Sequence, residues 1–375
     1  MKITNYKVYE IDLPLRKPFT TSFATIKYKK TLILELVTSR GLKGYSECSA
    51  FDIPFYSEEF RAGALALLTE QLLPQLLKVE IKHPDEIYSL FAYVRRNNMA
   101  KAAINCALWD LYAKEQSLPL FKVLGGVKNK VEVGVSIGVQ ESPEALVEVV
   151  RGYIEAGYRR IKMKIKPGSD YDYLKAVRTE FPQAMLMADA NSAYRLKDAE
   201  LLKRLDDLDL IMIEQPLEPG DIVDHARLQA QLKTPICLDE SIVSLDDARK
   251  MVELGAGKII NIKVARVGGF GAAKQIQAYA GQHGIQCWCG GMLDSGIARA
   301  GNLAIATLAN YTLPNDIAAC ERYYAEDIIS PLIKLDGTYV NVPTEPGLGY
   351  EVDYVNLKKF TKAVYEGEFI RKELR

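Results

Sequence analysis

The chain has 375 residues, of which 48% are hydrophobic and 26% are charged, and Lys plus Arg number 48, as do Asp plus Glu. This composition is that of a globular protein with two domains, or with one barrel and an added unit. The balanced charge gives no basic surplus for nucleic acid or an anionic membrane, and no apolar run reaches the roughly 18 residues of a membrane span.

The N-terminus and the cysteines indicate the compartment. Residues 1–7 lack the apolar core of a signal peptide. The cysteines are scattered without a CxxC pair, which indicates reduced thiols rather than a disulfide framework. We therefore expect a cytoplasmic protein, and the sequence leaves open whether it forms a homo-oligomer. The six cysteines are Cys48, Cys106, Cys237, Cys287, Cys289 and Cys320.

The first part of the chain, residues 1–125, predicts a small α+β domain. Alternation of apolar and polar residues at 6–11 and 30–37, followed by a turn and residues 45–48, predicts an antiparallel meander. Helical periodicity follows at 62–77 and 99–115. Aromatic residues in the connecting segments are expected to form a lid over a site or to pack between domains: Phe19, Phe23, Phe51, Phe55 and Tyr56.

From residue 126 the pattern changes to short apolar runs that recur about every 25 residues. This interval is that of a β/α unit, and the runs are apolar enough for parallel strands buried on both faces. The first run is at 131–136, the seventh at 285–289, and an eighth is expected near 317–320. We expect a modified (β/α)8 barrel of the (β/α)7β, TIM-like type over residues 126–324, with residues 325–375 returning to complete the α+β capping domain.

Five of the runs each end in one charged side chain, and these follow one another at intervals of 24 or 25 residues. The carboxyl ends of barrel strands meet at one face, where enzymes of this fold keep their active sites. We therefore expect the five side chains to meet at one mouth: Lys164, Asp189, Glu214, Asp239 and Lys263.

The three acids of this set predict a metal site. Three neighbouring carboxylates cannot all ionise without a compensating cation. Oxygen ligands without thiolate or imidazole fit Mg²⁺ or Mn²⁺ rather than zinc, and the histidines lie away from the strand ends. For each acid alone, the alternative is a helix cap, but three in register favour metal binding.

The lysines predict acid–base chemistry. Lys162 and Lys164 share one face of a strand, and Lys263 comes from the far side of the acids. A lysine near a divalent cation and other ammonium groups is shifted toward its neutral form, which a general base requires. Such a site suits removal of a proton α to a substrate carboxylate. Alternatively, the lysines only neutralise the acids in buried ion pairs, which gain little net stability.

These residues resemble the enolase superfamily, in the muconate-lactonising-enzyme subgroup with its Lys-x-Lys base motif. Further stretches are similar to the branch of o-succinylbenzoate synthases and N-succinylamino acid racemases, among them residues 17–23, 99–103, 134–138, 164–168 and 289–292. The motifs that carry the superfamily resemblance are Lys162-Met163-Lys164, Asp189-Ala190-Asn191, Glu214-Gln215-Pro216, Asp239-Glu240-Ser241 and Asn261-Ile262-Lys263.

The resemblance implies one Mg²⁺ (or Mn²⁺) held by Asp189, Glu214 and Asp239, with Lys164 as the base. The expected reaction is dehydration of 2-succinyl-6-hydroxy-2,4-cyclohexadiene-1-carboxylate to o-succinylbenzoate, in menaquinone biosynthesis. N-succinylamino acid racemisation or dipeptide epimerisation is the alternative, also as a second activity. The partner is then a small-molecule carboxylate. A Schiff-base aldolase is more remote because an imine needs no metal, and a non-catalytic carboxylate-binding barrel is more remote still.

Other side chains are expected to support the site or bind substrate. Arg266 follows Lys263 by three residues and would lower the pKa of Lys263 if it lies near. Asp294 stands where the family usually has a glutamate, and it either keeps a shortened role in the site or caps the next helix. The full supporting set is Lys162, Asn191, Glu240, Arg266, Ser136, Phe19, Phe23, Met292 and Asp294.

Overall fold

The computed structural model describes residues 1–20 and 25–368. Phe23, expected to be a lid residue, lies outside the described residues. In the part of the chain that is described, the main elements are a four-stranded antiparallel sheet and a seven-stranded parallel sheet. The predicted α/β class and barrel architecture are confirmed.

The antiparallel sheet forms from the predicted meander, in strands longer than expected. Strand β1 (Ile3–Thr20) pairs on one side with β2 (Thr25–Thr38) and on the other with the strand Thr361–Glu368 near the chain end, and β2 pairs in turn with β3 (Lys43–Cys48). The helices that follow β3 are α1 (Arg61–Leu67), α2 (Leu73–Leu76), α3 (Ile87–Leu90), α4 (Asn98–Glu115) and α5 (Leu120–Leu124), with a π-helical turn at Leu68–Leu72.

The parallel sheet follows the β/α interval seen in the sequence. Its seven strands are arranged in chain order, each hydrogen-bonded to the next. After β4 (Lys130–Glu132) the elements are β5 (Gly134–Ile137), α6 (Pro143–Glu155), β6 (Arg160–Lys164), α7 (Tyr171–Glu180), β7 (Met185–Asp189), α8 (Ala199–Lys203), β8 (Ile213–Glu214), α9 (Ile222–Gln229), β9 (Ile236–Leu238), α10 (Leu245–Leu254), β10 (Ile259–Ile262), α11 (Val264–Val267), α12 (Phe270–Gln282), β11 (Gln286–Cys289) and α13 (Gly296–Ile305).

Two predicted strands differ in the structure. The run at 131–136 is divided at Val133, because β4 pairs antiparallel with β13 (Tyr339–Asn341) whereas β5 joins the parallel sheet. The eighth strand expected near 317–320 is not there; residues 320–322 form a 3₁₀ turn. Instead, residues 311–316 hydrogen-bond to both edges of the sheet: Thr312 N–H donates to the Cys287 carbonyl, and Gly134 N–H donates to the Asn315 carbonyl.

The remaining elements lie in the C-terminal part. They are β12 (Ile329–Ser330), which pairs with β14 (Glu351–Val352), then α14 (Tyr354–Phe360) and β15 (Thr361–Glu368). Residue Glu368 of β15 faces Asn5 of β1. The division of the chain into domains at 125/126 and 324/325 stays a prediction.

Side chains on the two faces of the barrel strands separate into two layers, because neighbours along a strand point to opposite faces. In β6, Ile161 and Met163 belong to the core between strands and helices. Arg160, Lys162 and Lys164 alternate with them and face the barrel interior. The floor of that interior is a small apolar cluster of Met187, Met212, Cys237, Ile259 and Trp288.

In the described ranges, no helix is long and apolar enough to cross a membrane. All six cysteines are free thiols, as the sequence predicts.

The barrel floor yields a stability prediction. Met187 is fully buried, and its sulfur accepts a hydrogen bond from Arg160 at 3.0 Å. Met187→Ala is expected to cost about 2–5 kcal/mol in the free energy of unfolding, because it opens a cavity and removes that acceptor. Urea denaturation measures the cost. The control Val355→Ala, at a side chain that is 80% exposed, should change it by less than about 0.5 kcal/mol; equal losses would contradict the assigned floor.

Candidate active site

The five charged groups predicted from the sequence lie at the carboxyl ends of successive strands. Lys164, Asp189 and Glu214 are the last residues of β6, β7 and β8, and each pairs in register with the next. Asp239 and Lys263 directly follow β9 and β10. The parallel sheet thus brings all five to one mouth.

Lys162 and Lys164 bind the first two acids. The ammonium of Lys162 lies 2.7 Å from Asp189 Oδ2 and 2.7 Å from Glu214 Oε2. Lys164 Nζ lies 2.6 Å from Asp189 Oδ2 and also donates to the side-chain oxygen of Asn191. The Asn191 amide in turn donates to Glu240 Oε1 at 2.9 Å.

On the other flank, Lys263 and Arg266 both contact Asp239. Lys263 Nζ lies 2.9 Å from Asp239 Oδ2, and the Arg266 guanidinium pairs with Asp239 Oδ1. Both cations also donate to the phenol oxygen of Tyr56, each at 3.0 Å. This tyrosine comes from the segment after β3, so the N-terminal part of the chain reaches into the cluster.

These contacts shift the pKa values of the acids in opposite directions. Burial raises the pKa of Asp189, but the ammonium groups of Lys162 and Lys164 outweigh it and lower the value to about 2. Lys263 and Arg266 likewise overcome burial and lower the pKa of Asp239. For Glu214, burial and then the charge of Asp189 raise the pKa to about 7. The acids are therefore close enough to repel one another.

Two lysines next to the acids have raised pKa values. Burial is the largest influence on the pKa of Lys263 and lowers it, but Asp239 first, together with Tyr56 and Glu240, outweighs burial and raises it well above the ordinary value. The pKa of Lys162 is raised in the same way by Asp189 and Glu214. Arg266 does lower the pKa of Lys263, as expected, but by less than Asp239 raises it. The predicted shift of the lysines toward the neutral form supposes a bound divalent cation and stays a prediction.

The donor set fits a divalent cation by its chemistry. Asp189, Glu214 and Asp239 offer only carboxylate oxygens, and Glu214 Oε2 is buried without a well-aligned hydrogen bond. Hard oxygen ligands are those that Mg²⁺ and Mn²⁺ prefer. Among the described residues, no three Asp, Glu, His or Cys side chains already converge on one point, because each acid here is turned toward a lysine or arginine.

A pocket of about 610 Å³ opens above this cluster. Lys162, Lys164 and Lys263 line its charged side. Predicted site residues Ser136, Asn191 and Met292 also line it, as do those of the predicted lid aromatics that the structure describes. The aromatic and aliphatic part of the wall consists of Phe19, Ile26, Phe51, Phe55, Tyr56, Leu293 and Tyr323.

Asp294 does not cap the next helix, and a role for it in the site stays a prediction. It lines a second cavity, which Lys263 and Met292 also line. There its carboxylate accepts from Met292 N–H at 3.0 Å and from the Asn302 amide at 2.9 Å. The N-terminal N–H groups of α13 go elsewhere: Ser295 N–H donates to Glu47 Oε2 and Gly296 N–H to Asp327. Asp294 therefore supports the loop that carries Met292 into the pocket.

The sequence reasoning missed Asp316. This acid lines the pocket and accepts a hydrogen bond from Ser136 at 2.8 Å, while its Oδ1 atom has no partner. It follows Asn315 in the segment that closes the sheet, which carries no strand pattern. The only signal was its place next to the predicted eighth strand.

The backbone is unusual where the site loops begin. Asn191, Gln215 and Leu293 are non-glycine residues with φ of 41°, 40° and 55°. Such left-handed conformations cost free energy and cluster at functional sites. Gln215 is held there by its own side chain, whose oxygen accepts from the N–H groups of Asp239 and Ser241.

Comparison with known proteins agrees with this fold. Residues 3–125 match the family model described as mandelate racemase / muconate lactonizing enzyme, N-terminal domain, and residues 145–355 match the model described as enolase C-terminal domain-like. Together the barrel and the strand-end cluster define a lyase- or racemase-type barrel enzyme of a superfamily whose members are generally metal-dependent. The chain belongs to the enolase superfamily.

Individual relatives are similar over nearly the whole chain. The o-succinylbenzoate synthase of Geobacillus kaustophilus is 50% identical over 352 residues, 94% of each chain. The N-succinylamino acid racemase of Thermus thermophilus is 45% identical over 361 residues, 96% of this chain and 98% of the relative. The crystal structure of an enolase-superfamily member from Listeria innocua has a TM-score of 0.96 at 44% identity, covering 98% and 99% of the two chains.

Metal binding can be tested without any substrate. If the acids bind a divalent ion, MgCl₂ or MnCl₂ should raise the melting temperature, by the equivalent of about 2.7 kcal/mol at one hundred times Kd. Asp239→Asn should abolish this rise. The control Asp221→Asn, at the acid that caps α9, should keep it. An equal rise in the Asp239→Asn variant would refute the assigned ligand set.

Proposed function

We propose that this protein is a metal-dependent o-succinylbenzoate synthase, with N-succinylamino acid racemisation as a second activity of the same site. The metal is Mg²⁺ or Mn²⁺, bound by Asp189, Glu214 and Asp239. The observation that carries the proposal is that Lys164 and Lys263, from opposite flanks of the acids, line one pocket. The identity of 50% to a synthase over 94% of the chain supports it.

The pocket suits a carboxylate attached to an apolar ring. Three lysines line its lower side and present ammonium groups to a substrate. Its upper wall is built largely of aromatic rings, of which Phe51 and Phe55 lie 4.8 Å apart between centroids. A cyclohexadiene carboxylate would place its charged group next to the lysines and its ring against this aromatic wall.

Lys164 would perform both proton transfers of the dehydration. Its uncharged Nζ takes the proton from the carbon α to the carboxylate, and the electron pair moves onto the carboxylate oxygens. When that pair returns, the bond to the hydroxyl group on the adjacent carbon breaks, and the hydroxyl leaves as water with the proton held by Lys164. When bound, the divalent cation supplies positive charge that stabilises the carboxylate oxygens as they gain charge.

Lys263 would act from the other face. The raised pKa of Lys263 keeps it as an ammonium, which stabilises developing negative charge in the dehydration. In racemisation the same ammonium can give its proton to the opposite face of the α-carbon, after Lys164 has removed the original one. Both reactions thus share their first step, and this favours two activities at one site.

Asp316 is a reason to test a third substrate class. Its Oδ1 atom is buried, unpartnered and belongs to a side chain that lines the pocket. An acid in this position could bind a substrate ammonium group, as a dipeptide epimerase requires. A dipeptide therefore belongs in any substrate comparison.

The decisive assay uses the purified protein with MgCl₂ and three substrates in parallel. We expect dehydration of the cyclohexadiene carboxylate, followed by ultraviolet absorbance, and racemisation of N-succinyl amino acids, followed by polarimetry. L-Ala-L-Glu should not be epimerised. Turnover of the dipeptide alone would transfer the proposal to the epimerase reaction, and turnover of none would refute it.

The lysine roles are tested by substitution. Lys164→Ala should lower the dehydration rate at least about a hundredfold, because it removes the general base. Lys263→Ala should abolish racemisation, which needs both faces. The matched control is Lys166→Ala, at an exposed lysine just beyond the same strand, and it should leave both rates unchanged. Full dehydration by Lys164→Ala would show that the base is misassigned.

A further inference from the structure

The segment between β3 and α1, residues 49–60, forms a lid over the pocket. Its rings Phe51, Phe55 and Tyr56 line the pocket, whereas Ile53 is 60% exposed. Contacts at both ends of the segment and at Tyr56 hold it in place. Near its start, Lys29 donates to the Ser49 carbonyl, and Asp52 pairs with Arg61 and Lys30. Glu59 lies at its other end.

Glu59 caps a helix to which it does not belong. Its Oε2 atom accepts a hydrogen bond from Met99 N–H, in the first turn of α4, at 2.8 Å. The 18-residue helix α4 has no cap of its own: Asn97 makes no side-chain capping bond, and the first turn contains no acidic residue. Free N–H groups at a helix start favour a side-chain oxygen acceptor and negative charge. The lid supplies both.

The start of α4 is itself fixed to the barrel mouth. The Asn98 amide donates to the carbonyl of Val243 at 2.9 Å and to the carbonyl of Arg266 at 3.1 Å. Arg266 donates through its guanidinium to Tyr56, which belongs to the lid. Glu59, α4, Arg266 and Tyr56 therefore form a closed ring of contacts that begins and ends in the lid.

From this ring we infer that Glu59 is a positioning residue, which holds the lid closed and Tyr56 against Lys263 by capping α4 from outside. Glu59 lies far along the chain from the reacting groups, so the sequence alone does not connect it with the site. Its effect passes through Tyr56, whose hydroxyl contacts Lys263 and Arg266 but lies on the flank opposite Lys164.

The charged groups around Glu59 permit a conservative substitution. Burial raises the pKa of Glu59 to about 7, while the N–H groups of Met99, Asn98 and Ala100 lower it and Glu58 raises it further. Lys101 of α4 is the nearby cation. The amide of glutamine keeps an acceptor oxygen at the same place, so Glu59→Gln should preserve most of the cap. Glu59→Ala removes the acceptor and with it the cap.

Hydrogen–deuterium exchange of the whole unliganded protein tests the inference. In Glu59→Ala, peptides from residues 49–58 should exchange about five- to tenfold faster than in the wild type, the ratio expected from loss of a helix cap. Glu59→Gln should restore most of the protection. The control Asp353→Ala removes the cap of α14, where Asp353 accepts from Val355 and Asn356 N–H, and should leave the lid unchanged. Unaltered lid exchange in Glu59→Ala would overturn the inference, as would equal acceleration in the control.

Steady-state kinetics give a second test of the role of Glu59, and this test rests on the proposed function. With the cyclohexadiene carboxylate, Glu59→Ala should raise KM about five- to tenfold and change kcat less, because substrate binding needs the closed lid. A fall in kcat at constant KM would overturn the lid role. If the wild type does not turn over this substrate, the proposed function fails, but the exchange experiment still decides on Glu59.

Discussion

Buried like charge is the constraint on which the rest of this structure depends. Asp189, Glu214 and Asp239 are fully buried at adjacent strand ends. Without compensation such acids lose their charge or destabilise the fold. Lys162 compensates the charge of Asp189 and Glu214, and Lys263 and Arg266 compensate the charge of Asp239. The same charge makes the acids good ligands for a divalent ion, so stability and function draw on one set of atoms.

The fold supplies this arrangement by regular means. Alternation along β6 points Lys162 and Lys164 into the barrel and Ile161 and Met163 toward the helices. An apolar floor below the cluster keeps water from the acids, and residues 311–316 join the two edges of the sheet. The N-terminal segment then covers the top with aromatic rings. The pocket is thus assembled from several elements that are distant in sequence, and its shape depends on how they pack together.

What the sequence could predict follows from this distinction. The five strand ends were predictable because the β/α interval repeats and each run ends in one charge. Asp316, Asp294 and Glu59 were not, because their roles depend on contacts between segments distant in the chain, such as Glu59 with Met99. The pKa shift of Lys263 could not be predicted from the sequence for a related reason. Strand order shows that Lys263 lies near acids, but only atomic distances show that Asp239 outweighs Arg266.

In the proposed function, selection between dehydration and racemisation must arise beyond Lys164 and the metal ligands. Both reactions need the same base, the same acids and the same charge on the substrate carboxylate, so Lys164 and its neighbours cannot distinguish them. Lys263 is the group whose proposed task differs: it would stay an ammonium in dehydration and give up its proton in racemisation. The Lys263 ammonium donates to Asp239 and to Tyr56, and of these two acceptors only Tyr56 belongs to the lid. A closed lid adds a polar contact to the proton of Lys263 and narrows the room for an acyl chain. The balance of the two activities is therefore expected to follow the lid rather than the metal ligands.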